Sequence, residues 1–431
     1  MFKNISRDKV LFFGVSFLLL IGIQVLISTG IINNFWSTII RLGAVYAMVS
    51  LGLNLIYGFN GQFSLGQFGF YAIGAYTAAD ITYRWVNEDS SLGLTVVLVV
   101  ILLTGFAILG LRRVLSRIRG LDALSAFAIY LAAVLILGFI GLVIGNAIEP
   151  FVNALLGALP EALALQVVFI IAILLAALVA AEISFLFGLP VLTLGSDYFG
   201  IATLGFTIIV KVLLDNSDTM LGFVEMKGAR GMIGIPKITT WFWVFLFLII
   251  TVVVLRNLIH SSYGRAIVSV RENEIAAKTM GIDVANYKIL SFVIGSLFAG
   301  LAGGLYAHIN GFLHPNTFNF IKSFDPMIII VLGGLGTLTG TLVTSFVWVL
   351  LLEGALRLVL PDGFETWRYV IYPLILLLVM LLRPKGLIGE YEFPFLRQVL
   401  PPLYIKKKAA PNDTQLPTST IDSAGTQEAA Q

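Results

Sequence analysis

Cysteine is absent from the sequence, and charged side chains are scarce. Without cysteine the chain can form neither disulfides nor thiolate metal sites, and it has no cysteine nucleophile. Charged residues make up 12% of the 431 residues and hydrophobic residues 58%, whereas soluble domains are about a quarter charged. A soluble globule needs more polar cover than this chain supplies. The composition therefore excludes a soluble enzyme, a disordered protein and a nucleic-acid-binding protein.

A phosphate-binding loop of the form G-x-x-x-x-G-K-[ST] is also missing. In nucleotide-driven proteins, the backbone of this loop cradles the phosphates. An ATP-driven process that involves this chain would therefore need an ATPase on another polypeptide.

Long apolar runs fill most of the chain instead. Each is near the ~20 residues that a helix needs to cross ~30 Å of hydrocarbon. The predicted spans are residues 10–32, 35–57, 69–86, 91–111, 124–147, 161–187, 191–214, 240–259, 289–310 and 369–383. The predicted fold class is all-α, a polytopic transmembrane helical bundle with about ten full spans.

Lysine and arginine cluster in alternate loops of this arrangement, and acidic residues occupy the loops between. The positive-inside rule then places both termini in the cytoplasm. Residues 325–360 are too long for one crossing. Their GGLGTLTG segment at 333–340 predicts a broken helical hairpin that enters from the outer side and returns to it. The alternative is two ordinary short helices joined by a tight turn.

The pattern predicts a single transmembrane domain over residues 1–400. Residues 401–431 follow it as a tail, of which residues 409–431 are rich in Ala, Thr, Ser, Pro and Gln and contain no apolar run. Such a composition cannot bury enough apolar surface to fold, so we expect a largely disordered cytoplasmic tail.

The loop at 260–288 is the most informative segment outside the predicted spans. At 100° per residue, one helical face carries small or uncharged side chains, namely Asn273, Ala276, Ala277 and Met280. The opposite face carries charged side chains, namely Arg271, Glu274 and Lys278. Gly281 suits the left-handed position that ends a helix, and Asp283 suits the N-cap of the next one. The small-residue face would let another protein approach closely. The alternative is a surface helix that lies on the bilayer or between spans.

The block at 51–78 combines uncharged polar side chains with repeated glycines. Glycine allows close backbone approach and breaks in a helix. Amides and hydroxyls can bond a passing substrate without the cost of a buried charge. The residues predicted to line a translocation path are Asn54, Gln62, Ser64, Gly66 and Gln67. The alternative is that these groups bond neighbouring helices.

Several segments resemble the permeases of branched-chain amino acid ABC importers, and the LivM-type subunit in particular. GRAIVSVRENEIAAKTMGID at 264–283 is similar to the "EAA" loop of that family. LGLNLIYGFNGQFSLGQFGFYAIGAYTA at 51–78, LTLGSDYFGIATLGF at 192–206 and GGLGTLTG at 333–340 fall where the family has comparable blocks. The segment at 93–160 looks like an additional helical pair relative to the usual family member.

The resemblance implies that the loop is a coupling helix which sits in a groove of a cytoplasmic ATPase. The residues that it assigns to this contact are Arg271, Glu272, Asn273, Glu274, Ala276, Ala277, Met280 and Gly281. The permease itself would be no enzyme and would have no catalytic residue, metal or cofactor, because ATP would bind to partner subunits.

A heteromeric importer in the bacterial inner membrane follows from the same resemblance. Its other members would be a second permease subunit, two cytoplasmic ABC ATPase subunits and a periplasmic or lipid-anchored substrate-binding protein. The implied cargo is leucine, isoleucine and valine, moved by ATP-driven alternating access. Urea, short amides or other amino acids are alternative cargoes. An ion-coupled secondary transporter is the alternative mechanism, and it predicts paired buried carboxylates and internal repeats.

Overall fold

The computed structural model describes residues 33–115, 123–192, 196–219 and 226–355, together with isolated positions between 14 and 30 and between 374 and 396. All of these residues belong to one compact unit that ends at Leu396. The predicted first span, most of the predicted last span and the predicted tail lie outside the described residues.

Helices account for most of the described chain. They are α1 (Asn34–Leu53), α2 (Gln67–Asn87), α3 (Leu92–Leu115), α4 (Ala123–Gly157), α5 (Glu161–Val191), α6 (Ser196–Asp215), α7 (Trp241–His260), α8 (Ser262–Glu272), α9 (Glu274–Thr279), α10 (Val284–Asn310), α11 (Phe324–Gly333) and α12 (Leu338–Val349). The π-helices Asn54–Phe59 and Leu350–Ala355 extend α1 and α12. Two short strands, β1 (Met232–Ile233) and β2 (Phe312–Leu313), pair antiparallel.

Eight of the ten predicted spans coincide with described helices, namely α1 to α7 and α10. Within the described part of the chain, seven helices are long and apolar enough to cross a membrane. The predicted all-α polytopic bundle is confirmed. The helix α2 is not one of the seven. It carries Asp80 and Arg84, whose side chains form an ion pair at 3.2 Å.

The central helix of the bundle is α10, which packs against α1, α2 and α5. Glycine permits its closest approaches. A Cβ on Gly74 of α2 would lie 2.0 Å from the carbonyl oxygen of Gly300, and one on Gly52 of α1 would lie 2.4 Å from that of Gly295. These backbones therefore touch directly, as in other small-residue interfaces between membrane helices.

The helices α3 and α4 pack mainly on each other at the edge of the bundle and correspond to the predicted pair at 93–160. Most of α4 faces outward, and Leu135, Phe139 and Phe151 are large exposed apolar side chains. An apolar surface of this kind suits lipid or another membrane helix.

Residues 324–349 form two short helices in contact, α11 and α12, joined by a break at 334–337. Gly334 and Gly336 have positive φ angles of 113° and 78° in this break. A Cβ on Gly333 would lie 2.5 Å from the backbone of Gly340, so the two helices meet at glycine. The chain is therefore broken by glycine between two contacting short helices, which agrees with the predicted hairpin and with its alternative of two short helices joined by a tight turn.

Candidate functional site

The loop between α7 and α10 folds as two helices rather than one. The backbone of Asn273 is extended (φ −161°, ψ 108°) and separates α8 from α9. Its side-chain oxygen accepts a hydrogen bond from the backbone N–H of Ala276 at 3.0 Å. Asn273 is therefore the N-cap of α9, which explains a break that the helical periodicity did not predict.

The predicted end of this loop is confirmed. Gly281 has a φ of 81°, which is the left-handed conformation expected at the end of a helix. The carboxylate of Asp283 then accepts a hydrogen bond from the backbone N–H of Asn286 at 3.2 Å and caps α10. Both features follow from local capping chemistry, and both lie where the residue types indicated.

The predicted face of Asn273, Ala276, Ala277 and Met280 is exposed at three of its four positions and departs from the prediction at Ala277. Ala277 is only 4% exposed and packs into its own chain, whereas Ala276 is exposed. Two large apolar side chains project from the loop, Ile275 at 79% exposure and Met280, a member of the predicted face, at 81%. The break at Asn273 separates Arg271 from this face but leaves residues 274–279 in one helix.

Charged residues bond the loop to the rest of the bundle. The ammonium group of Lys288 in α10 forms an ion pair with the carboxylate of Glu274. Arg271 donates from Nη1 to the carbonyl oxygen of Gly58 at 2.6 Å, and its Nε lies 3.7 Å from the carboxylate of Glu272.

The predicted break in the 51–78 block is present. The π-helix after α1 ends at Phe59, residues 61–66 are non-helical, and α2 begins at Gln67. All the residues predicted to line a translocation path are buried here, namely Asn54, Gln62, Ser64, Gly66 and Gln67. Their hydrogen bonds divide them into two kinds.

Asn54 connects the first glycine break, residues 54–66, to the second glycine break, residues 334–337. Its Nδ2 donates to the carbonyl oxygen of Thr337 at 2.8 Å and to Oγ1 of Thr341 at 2.9 Å, and its Oδ1 accepts from the N–H of Gly336 at 2.9 Å. The amide is therefore fully occupied by helix packing. Gly58 sits beside it, because a Cβ there would lie 1.8 Å from that same Oδ1.

Ser64 and Gly66 also contribute to packing. The hydroxyl of Ser64 accepts a hydrogen bond from the N–H of Gly66 at 3.3 Å. A Cβ on Gly66 would lie 3.1 Å from Cβ of Thr203 in α6. These two residues shape the turn into α2.

Gln62 and Gln67 differ from the others. Both amides are buried, and among the described residues neither has a hydrogen-bond partner for its oxygen or its nitrogen. A buried amide without a partner is costly unless it meets water or a ligand. These two residues are therefore the members of the set whose amide groups the described chain leaves without hydrogen bonds.

The Asn54→Leu substitution should lower the stability of the folded chain. It leaves the partly buried N–H of Gly336 without its partner, and such a group costs about 1–3 kcal/mol. The carbonyl oxygen of Thr337 keeps the hydrogen bond from Oγ1 of Thr341 at 2.8 Å. We expect a clearly lower melting temperature in detergent. Gln67→Leu is the matched control, because this amide forms no hydrogen bond in the described structure. An equal loss in both variants would contradict the bonding described for Asn54.

Arg271 lies between the two glycine breaks. Besides its bond to Gly58, its Cγ would be 3.2 Å from a Cβ on Gly61, and its Nη1 would be 3.1 Å from a Cβ on Gly336. The two glycines thus leave the space that this side chain fills. No local pattern in the sequence indicates this contact, because its partners are more than 60 residues away in both directions.

Glu392 is a further residue that the sequence analysis missed. Its carboxylate accepts hydrogen bonds from the N–H groups of Leu338 and Thr339, at 2.6 and 3.1 Å. The carboxylate therefore caps the N-terminus of α12 from a distant part of the chain, as an acidic group at a helix N-terminus should.

Gly281→Val should loosen the end of the loop. No atom lies within 4 Å of a Cβ at this position, so the effect comes from the left-handed backbone, which costs an L-residue about 1–2 kcal/mol. The N–H of Ile282, which donates to the carbonyl oxygen of Ala277 at 3.0 Å, should then exchange with deuterium about tenfold faster. Gly281→Asn should stay near the wild type, since asparagine tolerates this conformation. Equal exchange in both variants would remove this role for Gly281.

Comparison with known proteins agrees with the architecture. The model of the family "Branched-chain amino acid transport system / permease component" matches residues 35–151 and 114–380. The two matched ranges overlap at residues 114–151, which include most of α4. No solved structure matches significantly.

Three curated relatives illustrate the similarity. The chain is 32% identical to the high-affinity branched-chain amino acid transport system permease protein LivM of Salmonella typhimurium over 248 residues, which cover 50% of this chain and 56% of that protein. It is 26% identical to LivM of Escherichia coli over 384 residues, which cover 81% and 69%. It is also 26% identical to LivH of Escherichia coli over 181 residues, which cover 42% and 55%. The chain belongs to the family of permease components of branched-chain amino acid transport systems.

Proposed function

We propose that the chain is the LivM-type permease subunit of an ATP-driven importer of leucine, isoleucine and valine. It works in the bacterial inner membrane with both termini in the cytoplasm. Its partners are a second permease subunit related to LivH, two cytoplasmic ABC ATPase subunits and a periplasmic or lipid-anchored binding protein. The similarity of the chain to both LivM and LivH proteins supports a pair of related permeases.

The observation that carries this proposal is the pair of exposed apolar side chains on the loop at 261–283. Ile275 and Met280 present two exposed apolar side chains at its tip. Large apolar side chains on a charged loop favour contact with a partner protein. The neighbouring exposed groups, including Glu272 and Lys278, would form the polar rim of that contact.

The same loop connects this surface to the interior of the bundle. Arg271 bonds the backbone of the first glycine break and contacts the second, and Asn54 ties the two breaks together. A ligand or partner shifts a conformational equilibrium only through contacts that differ between the states. An ATPase that holds the loop differently in its open and closed states would therefore move both breaks together.

The chemistry beside the two breaks supports a role in moving a small polar molecule. Non-helical backbone within a membrane protein is tolerated where it packs on protein or lines a cavity. The two breaks provide such backbone, and Gln62 and Gln67 provide uncommitted amides beside the first of them.

The test is uptake by proteoliposomes that contain the complete set of subunits. We expect uptake of labelled leucine that requires ATP on the loop side, requires this chain and is competed by isoleucine and valine. Urea and acetamide in excess should leave the rate unchanged. Uptake that needs only an ion gradient, without the ATPase subunits, would contradict the proposal, and competition by urea alone would reassign the cargo.

A further inference from the structure

One acidic side chain lies in the seam between α5 and the α3–α4 pair at the edge of the bundle. Glu182 of α5 places its Oε2 2.7 Å from Oγ1 of Thr104 in α3. The apolar cluster formed by these helices includes Ile101 and Leu175. We propose that Glu182 is a proton-binding site. It is held inside the membrane as a neutral carboxylic acid, which donates a hydrogen bond to Thr104 and so joins the α3–α4 pair to α5.

Both partners are isolated polar residues in apolar helices. Thr104 has the only polar side chain between Thr95 and Arg112. Glu182 has the only charged side chain of α5 after Glu161. Ionisable residues inside membrane helices are rare and usually have a specific polar partner. The contact across the seam pairs the one acid of α5 at this depth with the one hydroxyl that α3 offers there.

The contact lies well inside the apolar layer. The part of α3 that is long and apolar enough to cross a membrane is Leu92–Leu111. At ~1.5 Å per residue, Thr104 is about 10 Å from the Leu111 end of this stretch and about 18 Å from the Leu92 end. Glu182 is half-buried, so the exposed part of its side chain faces lipid at this depth. An ionised side chain in such a position is unfavourable.

The hydrogen bonds of Thr104 indicate where the proton lies. A hydroxyl group carries one hydrogen, but Oγ1 of Thr104 lies 2.7 Å from two oxygens, Oε2 of Glu182 and the carbonyl oxygen of Val100. Other helical threonines of this chain, Thr95 and Thr251, donate to the carbonyl oxygen four residues earlier. If Thr104 does the same, its contact with Glu182 needs a hydrogen from the carboxyl group. Only the protonated acid can donate it.

No cation compensates a charge on Glu182. Among the residues that the structure describes, no lysine, arginine or histidine forms an ion pair with it. Its other oxygen, Oε1, lies beside Gly105, where a Cβ would be 3.1 Å away. An ionised carboxylate would therefore have one hydrogen bond and no counter-charge in apolar surroundings, which disfavours it relative to the neutral acid.

The geometry favours a proton that stays in place over one that is transported. Proton relays in membrane proteins are chains of Asp, Glu and His side chains. In the described structure the one side chain that Glu182 bonds is Thr104, whose own hydrogen is directed to its backbone. Hydrogen bonds between neutral side chains commonly join membrane helices. The bound proton therefore makes Glu182 a link between helices.

Infrared spectra of the full chain in lipid nanodiscs at neutral pH test the protonation. The difference spectrum between the wild type and Glu182→Gln should contain the C=O band of a protonated carboxyl group. Thr104→Val removes the acceptor of the acid, so the band should move to higher frequency, and Thr104→Ser should restore its position.

Thr95→Val is the matched control for these spectra. Thr95 is a buried threonine on the same helix with the same kind of backbone bond, and Glu182 bonds Thr104 instead. The Glu182 band should therefore keep its position in this variant. A missing band, a band that Thr104→Val leaves unmoved, or an equal shift in Thr95→Val would overturn the inference.

Labelling of the wild type gives a test that does not depend on the folding of any variant. Dicyclohexylcarbodiimide dissolves in the bilayer and adds to a protonated carboxyl group. The acid hydrogen goes to one nitrogen of the reagent, the carboxyl oxygen bonds to its central carbon, and no group leaves. Mass spectrometry should find the adduct on Glu182 and not on Glu272, whose side chain is 69% exposed. No adduct on Glu182, or equal labelling of Glu272, would overturn the inference.

Uptake by the complete transporter separates a fixed proton from a transported one. Glu182→Gln is neutral and keeps a donor for Thr104, so its melting temperature should be that of the wild type and its uptake rate within twofold. Lost uptake at an unchanged melting temperature would show that the proton must leave, which overturns the linking role. The spectra and the labelling need no partner subunit, so their outcome stands even if the proposed function fails.

Discussion

Met280→Glu is expected to abolish both ATP-driven uptake and co-purification of the ATPase subunits. Met280 is 81% exposed and lies at the tip of the loop, so the substitution should leave the fold of the chain intact. In a docked complex the carboxylate would be buried against an apolar groove. An unpaired buried charge costs several kcal/mol, which corresponds to a loss of more than about a hundredfold in affinity.

The matched control is Met280→Leu, which keeps an apolar side chain of similar volume and should retain both properties. The two variants should show the same melting temperature and the same amount of folded chain in the membrane. ATPase co-purification at the wild-type level with Met280→Glu would show that the tip of the loop is not the docking surface.

Arg271→Ala should separate ATP hydrolysis from transport. The side chain bonds Gly58 and fills the space beside Gly61 and Gly336, and it is not one of the two apolar side chains proposed to dock, although 41% of it is exposed. Its loss should therefore leave the ATPase bound while the motion of the loop no longer reaches the two breaks. We expect the number of ATP molecules hydrolysed per leucine imported to rise at least tenfold.

Arg271→Lys is the conservative comparison for this prediction. Lysine retains a donor and a positive charge but lacks the planar fork of arginine, so it should restore part of the coupling. A purely structural role would lower hydrolysis and uptake in proportion. A ratio that stays at the wild-type value in Arg271→Ala would exclude Arg271 as the link.

Local chemistry made part of this site predictable. Gly281 and Asp283 follow capping rules that need only a few neighbouring residues, and the apolar runs of the long helices need only their length. The N-cap at Asn273 follows equally local chemistry. It was missed because the periodic pattern of the loop indicated one continuous helix. The expectation of one exposed face failed at Ala277 alone, which is buried while Asn273, Ala276 and Met280 are exposed.

Contacts between distant segments could not be predicted in the same way. Asn54 bonds residues 336–341, and Glu392 caps a helix that begins at Leu338. In the sequence each of these residues is a polar group beside apolar neighbours, which suits a substrate path and a packing contact equally. Only the structure distinguishes Asn54 from Gln62. The amide of Asn54 is fully hydrogen-bonded, whereas the amide of Gln62 has no hydrogen-bond partner among the described residues.

Photo-cross-linking from single cysteines tests the central claim most directly, because the chain has no native cysteine. A benzophenone-maleimide would be attached to Met280→Cys or, as the control, to Phe312→Cys. Phe312 is also exposed but lies beyond the far end of α10, a helix of 27 residues and about 40 Å. Irradiation of an active complex should join position 280 to an ATPase subunit and leave position 312 unjoined to it. No cross-link from position 280, or an equal yield from position 312, would contradict the account.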